Sequence, residues 1–353
     1  MRLDGYRPDR APEANQPRLI IVTDAWHPQV NGVVRTLAKI RELISARGYA
    51  VTVISPQDYR SVPCPTYPEI RLALTTPAIV ERAINSLRPA FIHIATEGPL
   101  GIMARRACLR NGWPFTTSFH TRFPEYVRER FPVPLSLTYG FLRRFHNAAD
   151  TCLVPTQSIA DELEKWGFHN LKVWTRGVDR AVFHPRDNAG MDFEKPVFIN
   201  VGRVAPEKNI AAFLELDLPG TKLVVGDGPS LAGMKQRFPK AVFVGKKEGD
   251  DLARYYAAAD VFVFPSRTDT FGLVLLEAIA SGLPVAAFPV PGAKDVISAT
   301  GAGILSEDLS EACLAALKMG KLDPEKCLGG FSWEACADIF EAILSPVKHP
   351  AAA

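Results

Sequence analysis

Asp260-Val-Phe-Val-Phe-Pro265 runs almost directly into Thr268-Asp-Thr-Phe-Gly272-Leu-Val-Leu-Leu-Glu277-Ala278. The first stretch is a continuous apolar run between an acid and a proline, the pattern of a strand buried on both faces. The second opens on three cap-forming residues, Thr268, Asp269 and Thr270, and continues as an apolar helix entered at Phe271. A strand that passes its chain to a buried helix is the repeating unit of a parallel sheet. Two acids, Asp269 and Glu277, stand eight residues apart in it. Gly272 lets a ligand approach the backbone closely. Open N–H groups at the helix start favour an anion or a hydroxyl-rich group. Glu277 lies about 7–8 Å further along the axis, at 1.5 Å per residue. A carboxylate that deep in an apolar run is costly unless it is paired or bound. The alternative is a capped core helix whose Glu277 faces a lysine.

The same alternation extends in both directions. Towards the N-terminus, strands are expected at 18–23, 49–55, 90–94, 115–119 and 151–154, with helices at 32–47, 77–87, 98–110, 135–149 and 158–166. The polar, turn-rich segment 183–190 reads as a linker. Strands restart at 196–201, 223–225, 241–243, 261–264 and 284–288, and a last helix is expected at 333–344. The fold class that follows is α/β, with two doubly wound, Rossmann-like parallel-sheet domains facing each other across a cleft. Their boundaries are a disordered tail at 1–17, a first domain at 18–185, a linker at 186–195, a second domain at 196–330, and a C-terminal helix at 331–353 able to cross back to the first domain. Ligands of such sheets bind at the carboxyl ends of the strands.

Bulk properties set limits. A chain of 353 residues is too long for one ordinary core. Its 47% hydrophobic and 22% charged residues are those of a globular protein, and a net charge of +3 is too small to argue for nucleic acid. The six cysteines form no C-x-x-C pair and no metal spacing with histidine, and read as reduced, mostly buried thiols of a cytoplasmic protein. Residues 1–17 lack the apolar core of a signal peptide. The apolar stretch 271–290 is interrupted by Gly282 and Pro284, which end a helix and start a strand rather than continue a membrane span.

Four further segments carry chemistry. In Val201-Gly-Arg-Val-Ala-Pro-Glu-Lys-Asn209, Arg203 and Lys208 follow a strand end just before a helix, which suits a diphosphate; the alternative is a pair of surface cations served by Glu207. Gly226-Asp-Gly-Pro-Ser-Leu231 half-matches a dinucleotide fingerprint, but Leu231 stands where the third glycine belongs, so a nicotinamide enzyme is disfavoured and a tight turn expected. Asn31-Gly32-Val33 brings a glycine to the first helix start, as a phosphate or sugar contact or as a plain loop. Thr116-Thr-Ser-Phe-His120-Thr-Arg122 ends a strand in a histidine, structural or catalytic. The remaining histidines, 27, 93, 146, 169, 184 and 349, occupy weaker positions, although His27 follows the first strand closely enough to stay in view.

Taken in order, these motifs resemble the retaining glycosyltransferases of family 4, which have the GT-B fold. Asp269-x7-Glu277 looks like the E-x7-E signature of that family, with aspartate in place of its first glutamate, a side chain about 1.5 Å shorter. Val201–Asn209 is similar to its diphosphate segment, Gly226–Pro229 to its inter-strand turn, Asn31–Val33 to its glycine loop, His120 to its active-site histidine, and Arg176-Gly-Val-Asp179 to the stretch before its interdomain linker. The subgroup with Pro28-Gln-Val-Asn-Gly32, a Phe-His-Thr-x-Phe-Pro segment and Thr-Asp-Thr-Phe-Gly272 looks nearest. It includes GDP-mannose-dependent α-mannosyltransferases and the transferases that place sulfoquinovose, glucose or glucuronate on diacylglycerol.

The resemblance implies an N-terminal acceptor domain and a C-terminal nucleotide-sugar domain. It implies that Arg203 and Lys208 neutralise the leaving diphosphate, so that neither a metal nor another cofactor is needed. Glu277 is expected on the ribose hydroxyls, Asp269 and the N–H groups around Phe271 and Gly272 on the donor sugar, Gly32 near the diphosphate, and His120 beside the reacting carbon. Retention is expected through same-face attack assisted by the departing phosphate. The donor partner is a UDP- or GDP-linked sugar, and the expected acceptor is a membrane lipid such as diacylglycerol. Arg122, Arg128, Arg130, Arg143 and Arg144 alternate with Phe123, Tyr126, Phe131, Tyr139, Phe141 and Phe145, against only Glu125 and Glu129, a composition that suits an anionic membrane surface on the cytoplasmic side. The alternative is a solvated helix face with its aromatic residues in the core. Other readings of the whole are an α-mannosyltransferase acting on a glycan or soluble acceptor, a sugar-nucleotide epimerase, and a two-lobed sugar binder without catalysis.

Overall fold

The computed structural model describes residues 16–29, 31–64, 67–187 and 190–348. Residues 1–15 of the expected tail, His349 and the side chains of Glu129 and Arg130 lie outside the described residues. The chain forms two compact units, one running to Thr175 and resuming at Cys336, the other Arg176–Ala335.

The first unit contains the strands β1 (Arg18–Val22), β2 (Ala50–Ile54), β3 (Ser61–Cys64), β4 (Tyr67–Ala73), β5 (Phe91–Ile94), β6 (Thr116–Ser118), β7 (Thr151–Val154) and β8 (Leu171–Val173). Six of them form one parallel sheet in the order β2-β1-β5-β6-β7-β8, and β3 and β4 pair separately as an antiparallel hairpin. The helix Gly32–Ala46 buries Val34, Leu37, Ile40 and Ile44, the three-and-four spacing of one helical face. On Pro99–Asn111, Leu100, Ala104 and Cys108 pack with Ile20, Val22, Ile92 and Ile94 of the sheet. From Cys336 onward the chain is tied to this same unit. The Trp174 indole N–H donates to the Cys336 carbonyl at 2.8 Å, Arg47 and the Tyr49 hydroxyl both donate to Glu341, and the Val347 N–H donates to the Ala90 carbonyl at 2.8 Å.

The second unit contains β9 (Val197–Val201), β10 (Thr221–Val225), β11 (Val242–Phe243), β12 (Val261–Phe264), β13 (Val285–Ala287) and β14 (Gly303–Leu305). They form a parallel sheet in the order β11-β10-β9-β12-β13-β14. Renumbered within the unit this is 3-2-1-4-5-6, the doubly wound order of dinucleotide-binding domains. β9 and β12 are buried along their whole length, as strands covered on both faces must be. The apolar stretch 271–290 divides into the helix Leu273–Ala280, a turn and β13. Among the described residues no helix is long and apolar enough to cross a membrane.

Several elements differ from the sequence expectation. The β3–β4 hairpin was not expected, because Pro63 and Pro68 break its pattern; Pro63 is accommodated next to a bulge in a two-stranded ribbon. β8 and β14 have three residues each, too short for a periodicity to register, and both lie at sheet edges. A helix at Phe123–Arg130 takes up the first part of the basic-aromatic segment, and the helix after it ends at His146 rather than at 149. The turn at Gly226 is tight for a specific reason. Its N–H donates to the Gly245 carbonyl at 2.9 Å, and a Cβ on Gly226 would lie 1.8 Å from the Gly202 carbonyl oxygen. Gly226→Ala must therefore push β9 and β10 apart at their carboxyl ends, and should lower unfolding stability by about 1–3 kcal/mol. A denaturant midpoint equal to that of the parent chain would show that the two loops are not held together in this way.

Candidate functional site

In an open parallel sheet the connections on either side of the first strand leave on opposite faces, and a crevice remains at the carboxyl ends where they part. In the second unit that point lies between β9 and β12. The strand ends and the loops that follow them are stitched together there. The Asn200 side chain of β9 donates to the Val263 carbonyl of β12 at 3.0 Å, and in the loops Asn209 donates to the Pro265 carbonyl at 3.1 Å. The hydroxyls of Ser266 and Thr268 donate to the Glu207 carbonyl at 3.4 and 3.3 Å. At the centre Lys208 Nζ lies 2.5 Å from Asp269 Oδ1. The expected partner Glu207 thus contributes its carbonyl, and the cation goes to the acid of the opposite loop. The second oxygen, Asp269 Oδ2, is buried with no hydrogen-bond partner among the described residues. A buried acceptor left without a donor costs about 1–3 kcal/mol.

Thr268, Asp269 and Thr270 do not cap the following helix. That helix starts at Leu273, two residues later than expected; Gly272 occupies the N-cap position at φ +84°, with no side-chain cap. Its left-handed backbone turns the chain inward, and a Cβ there would meet the Phe264 ring at 2.9 Å. Phe271 is consequently buried in the core, 6.3 Å from the Phe331 ring and 6.0 Å from the Arg176 guanidinium. Glu277 sits in the second turn and is only 2% exposed. The Tyr256 hydroxyl, on the helix Gly249–Ala258, donates to its Oε2 at 3.1 Å.

Arg203, half-buried, leaves β9 beside Gly202 and belongs to a loop bonded through its main chain to the Gly226 turn. The Gly202 N–H donates to the Val225 carbonyl at 3.0 Å, the Val204 N–H to the Asp227 carbonyl at 2.9 Å, and the Ser230 N–H to the Val204 carbonyl at 3.0 Å. The second unit therefore brings Lys208 and Asp269 into contact, with Arg203 on the same loop as Lys208, and sets Glu277 against Tyr256.

Gly32 and His120 belong to the first unit. Gly32 is exposed and opens its helix, whose cap is Asn31: the amide oxygen of Asn31 accepts from the Val34 N–H at 3.0 Å. His120 follows β6, with Nε2 2.8 Å from the Ser118 hydroxyl and its ring edge-on to Trp174 at 6.0 Å.

Sequence reasoning missed Asp24, the residue at the switch point of the first unit. It follows β1 and is 6% exposed. Its carboxylate accepts from the N–H groups of Leu100 and Gly101 at 2.9 and 3.2 Å and from the Thr96 hydroxyl at 3.0 Å. Burial pushes its pKa up, and the two N–H groups at the helix start oppose that shift. A Cβ on Gly98 would sit 2.4 Å from this carboxylate, so the carboxylate and that glycine occupy one another's space. The usable signal was an acid directly after a strand, with glycines at 98 and 101 opening a helix. Two histidines read as weak are also fully buried. His93 contacts the hydroxyls of Thr116 and Ser118 at 2.9 and 3.1 Å, and burial lowers it to about 3. His146 contacts Thr117, Glu97 and Cys152 at 3.0, 3.0 and 3.4 Å; burial opposes its charge, but Cys152 and the Glu97 carboxylate raise it to about 10. Among the described residues no three His, Cys, Asp or Glu side chains are grouped to hold a metal ion.

The basic-aromatic segment divides. Tyr139 and Phe145 are core residues, and Arg122 is paired with Glu125 and Glu162 at 3.2 and 2.6 Å. Phe123, Phe131, Leu137 and Phe141 are exposed at 49, 54, 66 and 46%, in the same segment as the exposed Arg128, Arg143 and Arg144.

Comparison with known proteins agrees with this architecture. Residues 30–182 match the family described as Glycosyltransferase Family 4, and residues 195–319 the family described as Glycosyl transferases group 1. The chain is 34% identical to a sulfoquinovosyl transferase of Arabidopsis thaliana, an alignment that takes in 67% of this chain and 50% of that protein, so it spans half the length of that relative. It is 31% identical to a GDP-mannose-dependent α-mannosyltransferase of Mycobacterium tuberculosis over 82% of this chain and 83% of that one. It is 26% identical to an α-monoglucosyldiacylglycerol synthase of Streptococcus pneumoniae over 85% and 78% of the two chains. Among solved structures, a sucrose-phosphate synthase of Thermosynechococcus elongatus superposes with a TM-score of 0.72 at 20% identity, covering 93% of this chain and 98% of that one; at that identity the likeness speaks for a shared GT-B fold. Both sheet-bearing segments match glycosyltransferase families, and the mycobacterial relative aligns over more than four-fifths of either chain. The chain is a hexosyltransferase and belongs to glycosyltransferase family 4.

Proposed function

We propose that the second unit binds a UDP- or GDP-linked hexose at the carboxyl ends of β9 and β12, and that the chain transfers the hexose with retention to a membrane lipid such as diacylglycerol, giving an α-glycoside. The observation that carries the donor reading is the Lys208–Asp269 pair. One carboxylate oxygen is held by the cation, and Oδ2 is a buried acceptor with no donor among the described residues. A sugar hydroxyl supplies that donor. The remaining protons of the Lys208 ammonium and the guanidinium of Arg203 face a diphosphate that gains charge as the glycosidic bond breaks, the form of stabilisation that acts most strongly in the transition state. Glu277, fixed by the Tyr256 hydroxyl, accepts from the ribose, and the uncapped helix start at Gly272 offers its N–H groups to the sugar. The family resemblance assigns His120 to the reacting carbon and Gly32 to the diphosphate.

The lipid acceptor is supported by the four exposed apolar residues and three exposed arginines of the 123–144 segment. Apolar side chains with cations suit the interface of an anionic bilayer. The name of the pneumococcal relative, a glucosyldiacylglycerol synthase, points the same way. The mycobacterial relative supports the second reading, a mannosyl transfer from GDP-mannose.

A panel of UDP- and GDP-sugars, offered with diacylglycerol in mixed vesicles and analysed by mass spectrometry, should give one hexosyl-diacylglycerol. Product formed only on a soluble or glycan acceptor would reject the lipid. Lys208→Ala and Glu277→Ala should each lower kcat/KM for the donor by about 30–100-fold, the cost of a charge-assisted hydrogen bond; parent-level kinetics in both would remove them from the donor site. Leu137→Asp combined with Phe141→Asp, both exposed positions, should reduce co-sedimentation with anionic vesicles several-fold. Unchanged recovery would separate this segment from membrane binding.

A further inference from the structure

We infer that Ser118 and His93 are positioning residues that hold the proton of neutral His120 on Nδ1 and so fix which ring nitrogen donates towards the substrate. The inference rests on the reading of His120 as the residue beside the reacting carbon.

The argument starts from β6. An interior strand of a parallel sheet ordinarily carries aliphatic side chains on both faces. Here it reads Thr116-Thr-Ser118, and all three residues have zero exposure. Buried hydroxyls persist only where each is hydrogen-bonded. Alternation along the strand sends Thr116 and Ser118 to one face and Thr117 to the other. His93 stands on β5 in register with Thr116, and its two ring nitrogens reach the two hydroxyls of that face, Nδ1 to Thr116 and Nε2 to Ser118. The Phe340 ring, 4.9 Å away and close to perpendicular, closes the pocket over the imidazole. The Ser118 hydroxyl then continues to His120 Nε2 at 2.8 Å. Thr116, His93, Ser118 and His120 are thus linked in one hydrogen-bonded row, and the Ser118 hydroxyl has a further, longer contact of 3.4 Å to the Ala95 carbonyl.

Counting protons orients the chain. Burial keeps His93 neutral, so it carries a single N–H. Each hydroxyl has one proton to give. In one direction Thr116 donates to His93 Nδ1, His93 Nε2–H donates to Ser118, and Ser118 donates to His120 Nε2. Every proton then has an acceptor, and the proton of neutral His120 must sit on Nδ1. In the opposite direction His120 Nε2–H donates to Ser118, Ser118 to His93, and His93 Nδ1–H to Thr116. The Thr116 hydroxyl, at zero exposure, would then have to place its own proton, and its one side-chain hydrogen bond here is the one to His93. A third arrangement, in which Ser118 accepts from both imidazoles and donates to the Ala95 carbonyl, relies on an O···O separation of 3.4 Å, well outside the ordinary O–H···O range, whereas the first direction gives the Ser118 proton an acceptor at 2.8 Å. The first direction therefore satisfies the buried groups best, and it turns His120 into a donor at Nδ1.

The test is the nitrogen NMR spectrum of the full chain labelled at histidine, with the His120 signals assigned by their loss in His120→Gln. The parent chain should show the Nδ1–H tautomer for His120. In Ser118→Ala, with the fold checked by the retained signals of the histidines outside this row, those of His120 should move towards the Nε2–H form, kcat should fall about 10-fold, and KM for the donor should stay within about two-fold. An Nε2–H tautomer in the parent chain overturns the inference without any variant. So does a Ser118→Ala chain with unchanged His120 signals, or with parent kcat while His120→Ala loses turnover. Parent-level kcat in His120→Ala would instead reject the role given to His120, and the two failures are therefore distinguishable.

Discussion

The second unit depends on one constraint, the reversal of strand order between β9 and β12. Because the connections leave on opposite faces, a crevice remains where these strands end, and the two loops satisfy each other there. They do so with three side-chain bonds to carbonyls and one ion pair, just beyond a fourth bond from Asn200 of β9 to the Val263 carbonyl of β12. The ion pair differs from the rest. A surface pair contributes little, but here one carboxylate oxygen stays buried with no partner among the described residues, so the loops are joined at the expense of an unmet hydrogen bond. That arrangement suits a ligand rather than maximal stability.

The first unit solves the same topological problem differently. Its switch point, between β1 and β5, is filled by Asp24, which accepts from the start of the helix Pro99–Asn111 and from Thr96. The polar interest moves one strand over, to β6. There the hydroxyls of Thr116, Thr117 and Ser118 are each matched by a buried histidine, His93 on one face and His146 on the other. The two histidines differ in charge for local reasons. Among the described residues His93 meets two hydroxyls and the Phe340 ring, whereas His146 lies against a carboxylate and a thiol.

How far the sequence could be read follows from these particulars. β9, β12 and the helix Gly32–Ala46 were legible because their apolar patterns are long and uninterrupted. Arg203, Lys208, Asp269, Gly272 and Glu277 could be placed in order along the chain, since each follows a strand end. Their partners could not. That Lys208 meets Asp269 rather than Glu207 depends on two loops about sixty residues apart, and that Tyr256 meets Glu277 depends on helix packing. The cap-forming residues 268–270 misled because Gly272 takes a left-handed conformation and starts the helix without them. Asp24 and His93 escaped because burial and contacts, not residue type, are what set them apart.

The bonds that join the Gly202–Val204 segment to the Gly226 turn run from main chain to main chain. Such bonds do not depend on which side chains the loops carry, provided that glycine is kept where the backbones touch. The framework of the crevice and its chemical lining are therefore separate inheritances. Residues facing a ligand can be exchanged one at a time while the strand ends stay in register. A scaffold of this kind can diversify in substrate without refolding, and the relatives of this chain are named for sulfoquinovose, mannose and glucose.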